Sequence, residues 1–302
     1  MKIFHGIENI GRLKKPVAAL GVFDGVHCGH IKILKGAVKQ ARKIKGTSVA
    51  VTFWPHPQKE GSLYSLEHRL RLIAKLGIQA SVVINLNPHL RKLSAGDFIK
   101  NILVKRFGVK YIYVGKNFKF GKGARGDVKL LNRLSREYGF KVKAFGVVKV
   151  NHEPVSSTLI RALIRTGKLK EAQRLLTRPV SVLGTVIKGS SVARKLGYPT
   201  ANIDPHHEVT PPPGIYAVTV IYNNKKLYGA CYIGRKPTFG ISKEKHIEVH
   251  IFDFKKNIYS EFLEIRFVKK IRDDKKFSDT SVLAENIKKD MISIRSLFMP
   301  SH

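Results

Sequence analysis

His27 and His30 stand three residues apart in "GVFDGVHCGH", residues 21 to 30, directly after the apolar run "VAAL". Two imidazoles facing one point can donate hydrogen bonds to negative charge developing on a transferring phosphoryl group. The helix expected from residue 30 adds free backbone N–H groups and the positive end of its dipole, while Gly25 and Gly29 let the backbone approach a phosphate closely. Gly21 and Asp24 complete the candidate nucleotide-binding stretch. Two other readings compete: a glycine-containing turn with solvent-facing histidines, and a metal centre. A zinc site wants further Cys, His or carboxylate ligands, and locally there are only Cys28 and Asp24.

Three further stretches carry chemistry. In "SSTLIRALIR", Ser157 and Thr158 can cap a helix, with Arg161 and Arg165 one turn apart on one face. Hydroxyls and a guanidinium at a helix start suit phosphate oxygens; the plainer reading is a cap with solvated arginines. In "GYPTAN", Pro199 stiffens the backbone and Thr200 and Asn202 offer oxygen ligands of the kind magnesium prefers, unless this is a polar turn. In "HIEVHIFDF", strand alternation puts Glu248, His250 and Phe252 on one face and Ile247, Val249 and Ile251 on the other. Glu248 is then either a solvated carboxylate or, facing a ligand, a general base.

The elements that must position these residues divide the chain in two. Early on, apolar strand-like runs alternate with helical patterns: "VAALGV", then Ile31, Leu34, Val38 and Ala41 at helical spacing, then "TSVAVTF". Three more helix–strand pairs end at "SVVINL", "YIYVG" and "KVKAFGVVKV". That repetition predicts a parallel sheet covered by helices, with ligands beyond the carboxyl ends of its strands. From about residue 180 short alternating runs dominate, and Asn223–Asn224 between two of them marks a hairpin, because Asn tolerates positive φ. An antiparallel barrel is expected, closed by a helix bearing Leu283, Ile287 and Met291. The boundary falls near Pro179, giving domains of 1–178 and 179–302.

Composition sets outer limits. The chain has 302 residues, 43% hydrophobic and 25% charged, with no apolar run near the roughly 20 residues of a membrane helix and no export-signal pattern at its start. Cys28 and Cys231 are too few for a disulfide framework, which fits a reducing cytoplasm. The net charge of +35 is spread along the chain without a basic tail, and reads as a solvated basic face. Neither an RNP-type aromatic motif nor zinc-finger spacing is present, so no specific nucleic-acid partner is expected. "GKGARG", residues 121 to 126, matches the dinucleotide pattern formally but lacks the preceding strand and the following acidic residue.

H-x-G-H after the first strand resembles the nucleotidyltransferase superfamily. "TFWPHP", "VGKNFKFGKGARGD", "SSTLIR", "LGYPTANI", "PPGIYA", "IGRKPTFG" and "IEVHIFDF", in this order over nearly the whole chain, resemble the bacterial bifunctional riboflavin kinase/FAD synthetases. The resemblance implies an N-terminal Rossmann-like nucleotidyltransferase domain that makes FAD from FMN and ATP. It implies a C-terminal barrel that makes FMN from riboflavin and ATP with Mg²⁺. By the same resemblance His27 and His30 stabilise charge, Ser157, Thr158 and Arg161 contact phosphates, and Asn117 and Asp127 hold the flavin, Asp127 having a helix N-cap as its other reading. Glu248 becomes the base, and Thr200 and Asn202 the magnesium ligands. Three positions depart from the family pattern: Trp54 where acidic residues are common, expected to pack, and Ala193 and Ser260 where glycines are usual. The alternatives are a chain keeping one of the two activities, or a flavin- or nucleic-acid-binding protein without turnover.

Overall fold

A computed structural model describes residues 1–55, 62–189, 197–235, 245–275, 277 and 279–298. It forms two compact units, Met1–Leu159 and Ile160–His302. Ala193 lies outside the described residues, as do parts of the "TFWPHP" and "IGRKPTFG" stretches.

The first unit contains β1 (Lys2–His5), β2 (Val17–Leu20), α1 (Cys28–Lys43), β3 (Ser48–Trp54), α2 (Leu66–Lys75) and β4 (Ala80–Asn85). Then come α3 (Pro88–Lys92), α4 (Ala95–Asp97) running on as a π-helix over Phe98–Arg106, and β5 (Tyr111–Gly115). α5 (Val128–Tyr138), β6 (Lys141–Phe145), β7 (Lys149–Val150), β8 (Glu153–Pro154) and the start of α6 (Ser157–Arg165) complete it. Six strands pair in parallel in the order β1-β4-β3-β2-β5-β6. β2 lies fully buried in the middle because all four of its residues are apolar, as a doubly covered parallel strand requires. On α1 the buried set is Ile33, Leu34, Ala37, Val38 and Ala41, so Ile31 falls outside the expected stripe. Strand β1 gave no pattern in the sequence: only four residues long, it adds an edge to β4.

The second unit continues α6 and adds α7 (Leu169–Leu176), β9 (Ser181–Ile187), β10 (Ala201–Asp204), β11 (Gly214–Tyr222), β12 (Lys225–Arg235), β13 (Lys245–Ile251), β14 (Phe262–Asp273) and α8 (Thr280–Phe298). The six strands close an antiparallel barrel in the order β10-β13-β12-β11-β14-β9. The β11–β12 turn is the expected Asn hairpin, with φ of 46° at Asn223 and 62° at Asn224. Helix α8 lays Ile294, Met291 and Phe298 against Ala217, Ala230 and Phe252. The competing reading of "GYPTAN" as a polar turn does not hold for its second half, which enters β10 and pairs Asn202 directly opposite Glu248.

Candidate active sites

In the first sheet the chain runs outward from β2 through β3 to β4 and then crosses back to β5 on the other side of β2, so the crevice beyond the carboxyl ends of β2 and β5 is the topological switch point. The histidine loop leaves β2 there. Helix α1 begins at Cys28, two residues earlier than expected, which makes His27 its N-cap and puts His30 in the first turn. His27 Nδ1 accepts from the His30 backbone N–H at 3.4 Å, and the two rings stack with centroids 3.6 Å apart and 21° between planes. Phe23 meets the His30 ring edge-on at 5.5 Å. The glycines make this turn possible. Gly25 has φ of 81°; a Cβ on Gly29 would lie 3.1 Å from the His27 ring, and one on Gly21 would lie 3.0 Å from Phe23.

Asp24 is placed differently from the expectation of a phosphate contact. It is buried, and its carboxylate accepts the Leu63 N–H at 2.8 and 3.0 Å and the Tyr64 N–H at 3.2 Å. Its charge, turned into the protein, braces the loop and would repel phosphate oxygens.

At α6 the cap is made by Ser156, whose Oγ accepts from the Leu159 N–H at 3.2 Å, not by Ser157 or Thr158. Ser157 instead donates to the Asp24 carbonyl at 2.8 Å, bringing the start of α6 to the histidine loop. Thr158 is exposed, and Arg161, one turn after Ser157 on the same helix, is 2% exposed. Arg165 is exposed. Asn117 stands exposed in the loop after β5, on the other side of the switch point from β2. Asp127 caps α5: Oδ1 accepts the Leu130 N–H at 2.9 Å and Oδ2 pairs with Lys119 at 3.6 Å, contacts that hold its carboxyl below the usual range. The glycines of "GKGARG" have a packing reason, since a Cβ on Gly121 or Gly126 would meet Ala95 at 2.7 or 2.6 Å. Trp54 ends β3, partly exposed, with the Arg69 guanidinium over its ring at 5.4 Å.

The second site is built on β10 and β13. Ile247, Val249 and Ile251 fill the barrel core, which turns Glu248 and His250 outward. That outward face is not open solvent. The Glu248 side chain is 19% exposed; Oε2 accepts from Thr200 Oγ1 at 2.9 Å, and Oε1 lies 2.5 Å from His246 Nε2. The His246 and Thr200 hydrogen bonds hold this carboxyl below its usual range, against the burial that raises it. Two cavities lie on these strands. One of about 260 Å³ runs between the barrel and α8, lined by Glu248, Tyr232, Leu283, Ile287 and Met291 among others. The other, about 430 Å³, is lined by Pro199, Ala201, Lys255, Lys256, Asn257 and Tyr259 among others. Thr200 lines both. Tyr232, opposite Glu248 on β12, has its phenol pushed up to about 12 by burial, with Asp274 and Glu248 adding to the rise.

A magnesium ion fits the oxygen set at Thr200 and Asn202. Asn202 is 6% exposed and its Oδ1 is buried without a hydrogen-bond partner among the described residues, an acceptor that a hard cation would satisfy. A Cβ on Gly189 would lie 1.9 Å from Asn202 Nδ2, so the backbone of residue 189 leaves the space this amide occupies.

Sequence reasoning missed His246, Gly189 and Arg69. Strand alternation does place His246 on the face of Glu248 two residues on, and that signal was available. Gly189 comes to Asn202 only through the β9–β10 pairing, in which Asn202 faces Ile187. Arg69, 0% exposed, looked like any charged residue on a helix.

The comparisons with known proteins agree with this layout. Residues 10–159 match the family model for FAD synthetase, and residues 176–298 match that for riboflavin kinase. A bifunctional riboflavin kinase/FMN adenylyltransferase from Buchnera aphidicola subsp. Schizaphis graminum is 36% identical over 99% of both chains. The Escherichia coli K12 protein of the same description is 32% identical over 99% of this chain and 98% of its own. A crystal structure described as a macrolide-efflux protein from Streptococcus pneumoniae superposes with a TM-score of 0.81 at 28% identity, covering 96% of this chain and 97% of that one. Among the described residues no helix is long and apolar enough to cross a membrane.

Proposed function

The chain belongs to the bifunctional riboflavin kinase/FMN adenylyltransferases, and on that premise we propose how its two halves carry the two transfers. It phosphorylates riboflavin with ATP to FMN, and adenylylates FMN with ATP to FAD and pyrophosphate. We assign residues 1–178 to adenylyl transfer and 179–302 to the kinase; the riboflavin kinase match beginning at 176 supports this division, while the FAD synthetase match ends at 159 and the compact units divide there, with α6 from Ile160 on and α7 in the second unit.

In the kinase half, the apolar 260 Å³ cavity under α8 takes the flavin ring, and the 430 Å³ cavity with Lys255 and Lys256 takes the nucleotide. Glu248 accepts the proton of the terminal ribityl hydroxyl as that oxygen attacks the γ-phosphorus and ADP departs. Among the described residues each carboxylate oxygen has one side-chain partner, Thr200 or His246, which leaves it lone-pair capacity to accept a proton. Thr200 and Asn202 would hold Mg²⁺, which when bound supplies charge neutralisation at the phosphate oxygens.

In the adenylyltransferase half, an FMN phosphate oxygen attacks the α-phosphorus of ATP and pyrophosphate leaves. The attacking oxygen is already ionised, so no general base is needed, and no covalent enzyme intermediate forms. His27 and His30 donate to the charge on the α-phosphoryl group. Gly21, Gly25 and Gly29 shape the loop, Asp24 braces it, and Ser157, Thr158 and Arg161 serve the pyrophosphate. Asn117 contacts the flavin, and Asp127 orders the loop beyond it. The free Cys28 and Cys231 support a cytoplasmic location.

The observation that carries this reading is the 2.9 Å hydrogen bond from Thr200 to Glu248 at a residue lining both cavities, where an acceptor hydroxyl and a γ-phosphate would meet. Its test is chromatographic: purified protein with riboflavin, excess ATP and Mg²⁺, products followed in time. FMN appearing first and FAD after it is the expected result. FAD from supplied FMN alone would limit the chain to adenylyl transfer, and no conversion of either flavin would leave a binding protein.

A further inference from the structure

Among the described residues Arg69 is the largest fully buried side chain, and a guanidinium is a costly group to bury. Buried arginines kept for stability have their donors satisfied. Here Nη1 donates to the Val22 carbonyl at 2.6 Å, while Nε and Nη2 have no hydrogen-bond partner among the described residues. Burial pushes its pKa down, and the nearby Asp24 charge opposes that. What Arg69 holds is the turn that carries the histidines.

That turn is strained. Phe23, Gly25 and Val26 have φ of 53°, 81° and 41°, and neither Phe nor β-branched Val adopts positive φ readily. Such a backbone persists only when its surroundings over-determine it. Five donors do so: Thr52 Oγ1 and Arg69 Nη1 both donate to the Val22 carbonyl, at 2.9 and 2.6 Å, the Leu63 and Tyr64 amides bind the Asp24 carboxylate, and Ser157 binds the Asp24 carbonyl. Arg69 is the cationic one among them, and its guanidinium also lies over the Trp54 ring at 5.4 Å, a combination that a lysine does not fully reproduce.

We propose that Arg69 is a positioning residue for adenylyl transfer: gripping the Val22 carbonyl, beside the Asp24 charge, it locks the strained turn that aims His27 and His30 at the reacting phosphate. The inference rests on the reading that this loop handles the α-phosphoryl group. It gives the unusual burial a purpose, and it makes the geometry of the histidine pair depend on a residue outside the motif.

The test uses the full chain, assaying FAD from FMN and FMN from riboflavin on the same preparations, well below each variant's unfolding midpoint. For Arg69→Met, misplacement of the reacting groups is expected to lower the kcat of FAD formation about 100-fold. Riboflavin phosphorylation should stay at the wild-type rate, and the defect should persist on cooling. Arg69→Lys should recover part of the loss. Thr52→Val, which removes the neighbouring grip on the same carbonyl, should slow FAD formation about tenfold, a smaller misplacement of the same kind. If Arg69→Met does not fold, Thr52→Val and Arg69→Lys decide, and wild-type kcat in both overturns the proposal. A soluble Arg69→Met with wild-type kcat, or one whose activity returns on cooling, also overturns it. His30→Ala separates the two levels: if it is inactive while Arg69→Met is active, the arginine's role alone fails, and if His30→Ala is active, the reading of the loop fails with it.

Discussion

Helix α8 closes the cavity assigned to the flavin, and among the described residues the Arg272–Asp290 pair is the more buried of two ion pairs that hold it, the other being Arg295–Asp253. Arg272 Nε reaches Asp290 Oδ1 and Oδ2 at 3.0 and 3.1 Å, and Nη2 reaches Oδ2 at 2.8 Å. The Asp290 side chain is 8% exposed and that of Arg272 25%. Asp290→Asn keeps the shape but sets an amide N–H₂ against guanidinium donors. Truncating one partner of a fully buried charge pair costs about 3–5 kcal/mol, and because Arg272 is partly exposed and keeps its bond to the Asp273 carbonyl, the cost falls to the bottom of that scale or below it, ~2–3 kcal/mol. If that energy comes out of helix docking, riboflavin affinity falls by roughly 30- to 150-fold at about 1.4 kcal/mol per decade. The assay is the riboflavin KM for FMN formation, with FAD formation from supplied FMN as control in the same polypeptide. Asp290→Asn should raise that KM by the stated factor and leave adenylyl transfer unchanged. A wild-type KM in a variant whose cavity is no longer clamped would refute the assignment of the flavin to the space beneath α8.

Further consequences follow from the same geometry. Because Glu248 is held below its usual carboxylate range in the folded state, it adds stability above its unfolded pKa that is lost as pH falls through the folded value. Acid titration of the unfolding midpoint should therefore be flatter in Glu248→Gln, and an equally steep curve would argue against the His246–Glu248–Thr200 contacts. Gly189→Ala drives a Cβ into the Asn202 amide, and the resulting overpacking, about 1–3 kcal/mol, should show as a raised Mg²⁺ requirement of the kinase alone, read from FMN formation against metal concentration. Ser260 occupies a left-handed position, φ 64°, where the family pattern has glycine. Ser260→Gly should keep kinase activity and raise the unfolding midpoint slightly, the relief of about 1 kcal/mol of backbone strain being partly cancelled by glycine's freer unfolded chain; Ser260→Val should lower it.

The parallel sheet and the barrel were legible because burial imposes a period. The run Val17–Leu20 can only be a doubly covered strand, and Ile247, Val249 and Ile251 can only share a core face. Less legible were features set by choices among neighbours. Three consecutive hydroxyls at 156–158 can each cap α6, and only the path of the chain selects Ser156 and frees Ser157 for Asp24. The π-helical stretch buries Phe98, Ile99, Ile102 and Leu103, a spacing an α-helix would bury equally well. The H-x-G-H pair stood out because two imidazoles at a strand-to-helix turn have few structural reasons to be there, whereas alternation left Glu248 open between a solvated carboxylate and a base until the family resemblance singled it out. Asn202 at its strand register, Gly189 beside it and Arg69 beneath the histidine loop depend on contacts 13 to 47 residues apart in the chain, which no local pattern encodes.

The central claim is that two independent phosphate-handling sites share one chain, and the most direct measurement is a crossed assay of two variants. Starting from riboflavin and ATP, His30→Ala should accumulate FMN and make no FAD. Glu248→Gln should make almost no FMN, its kinase rate falling about 10²- to 10⁴-fold for a lost general base, yet convert supplied FMN to FAD at the wild-type rate. Loss of both activities in either variant, or of neither, would contradict the account.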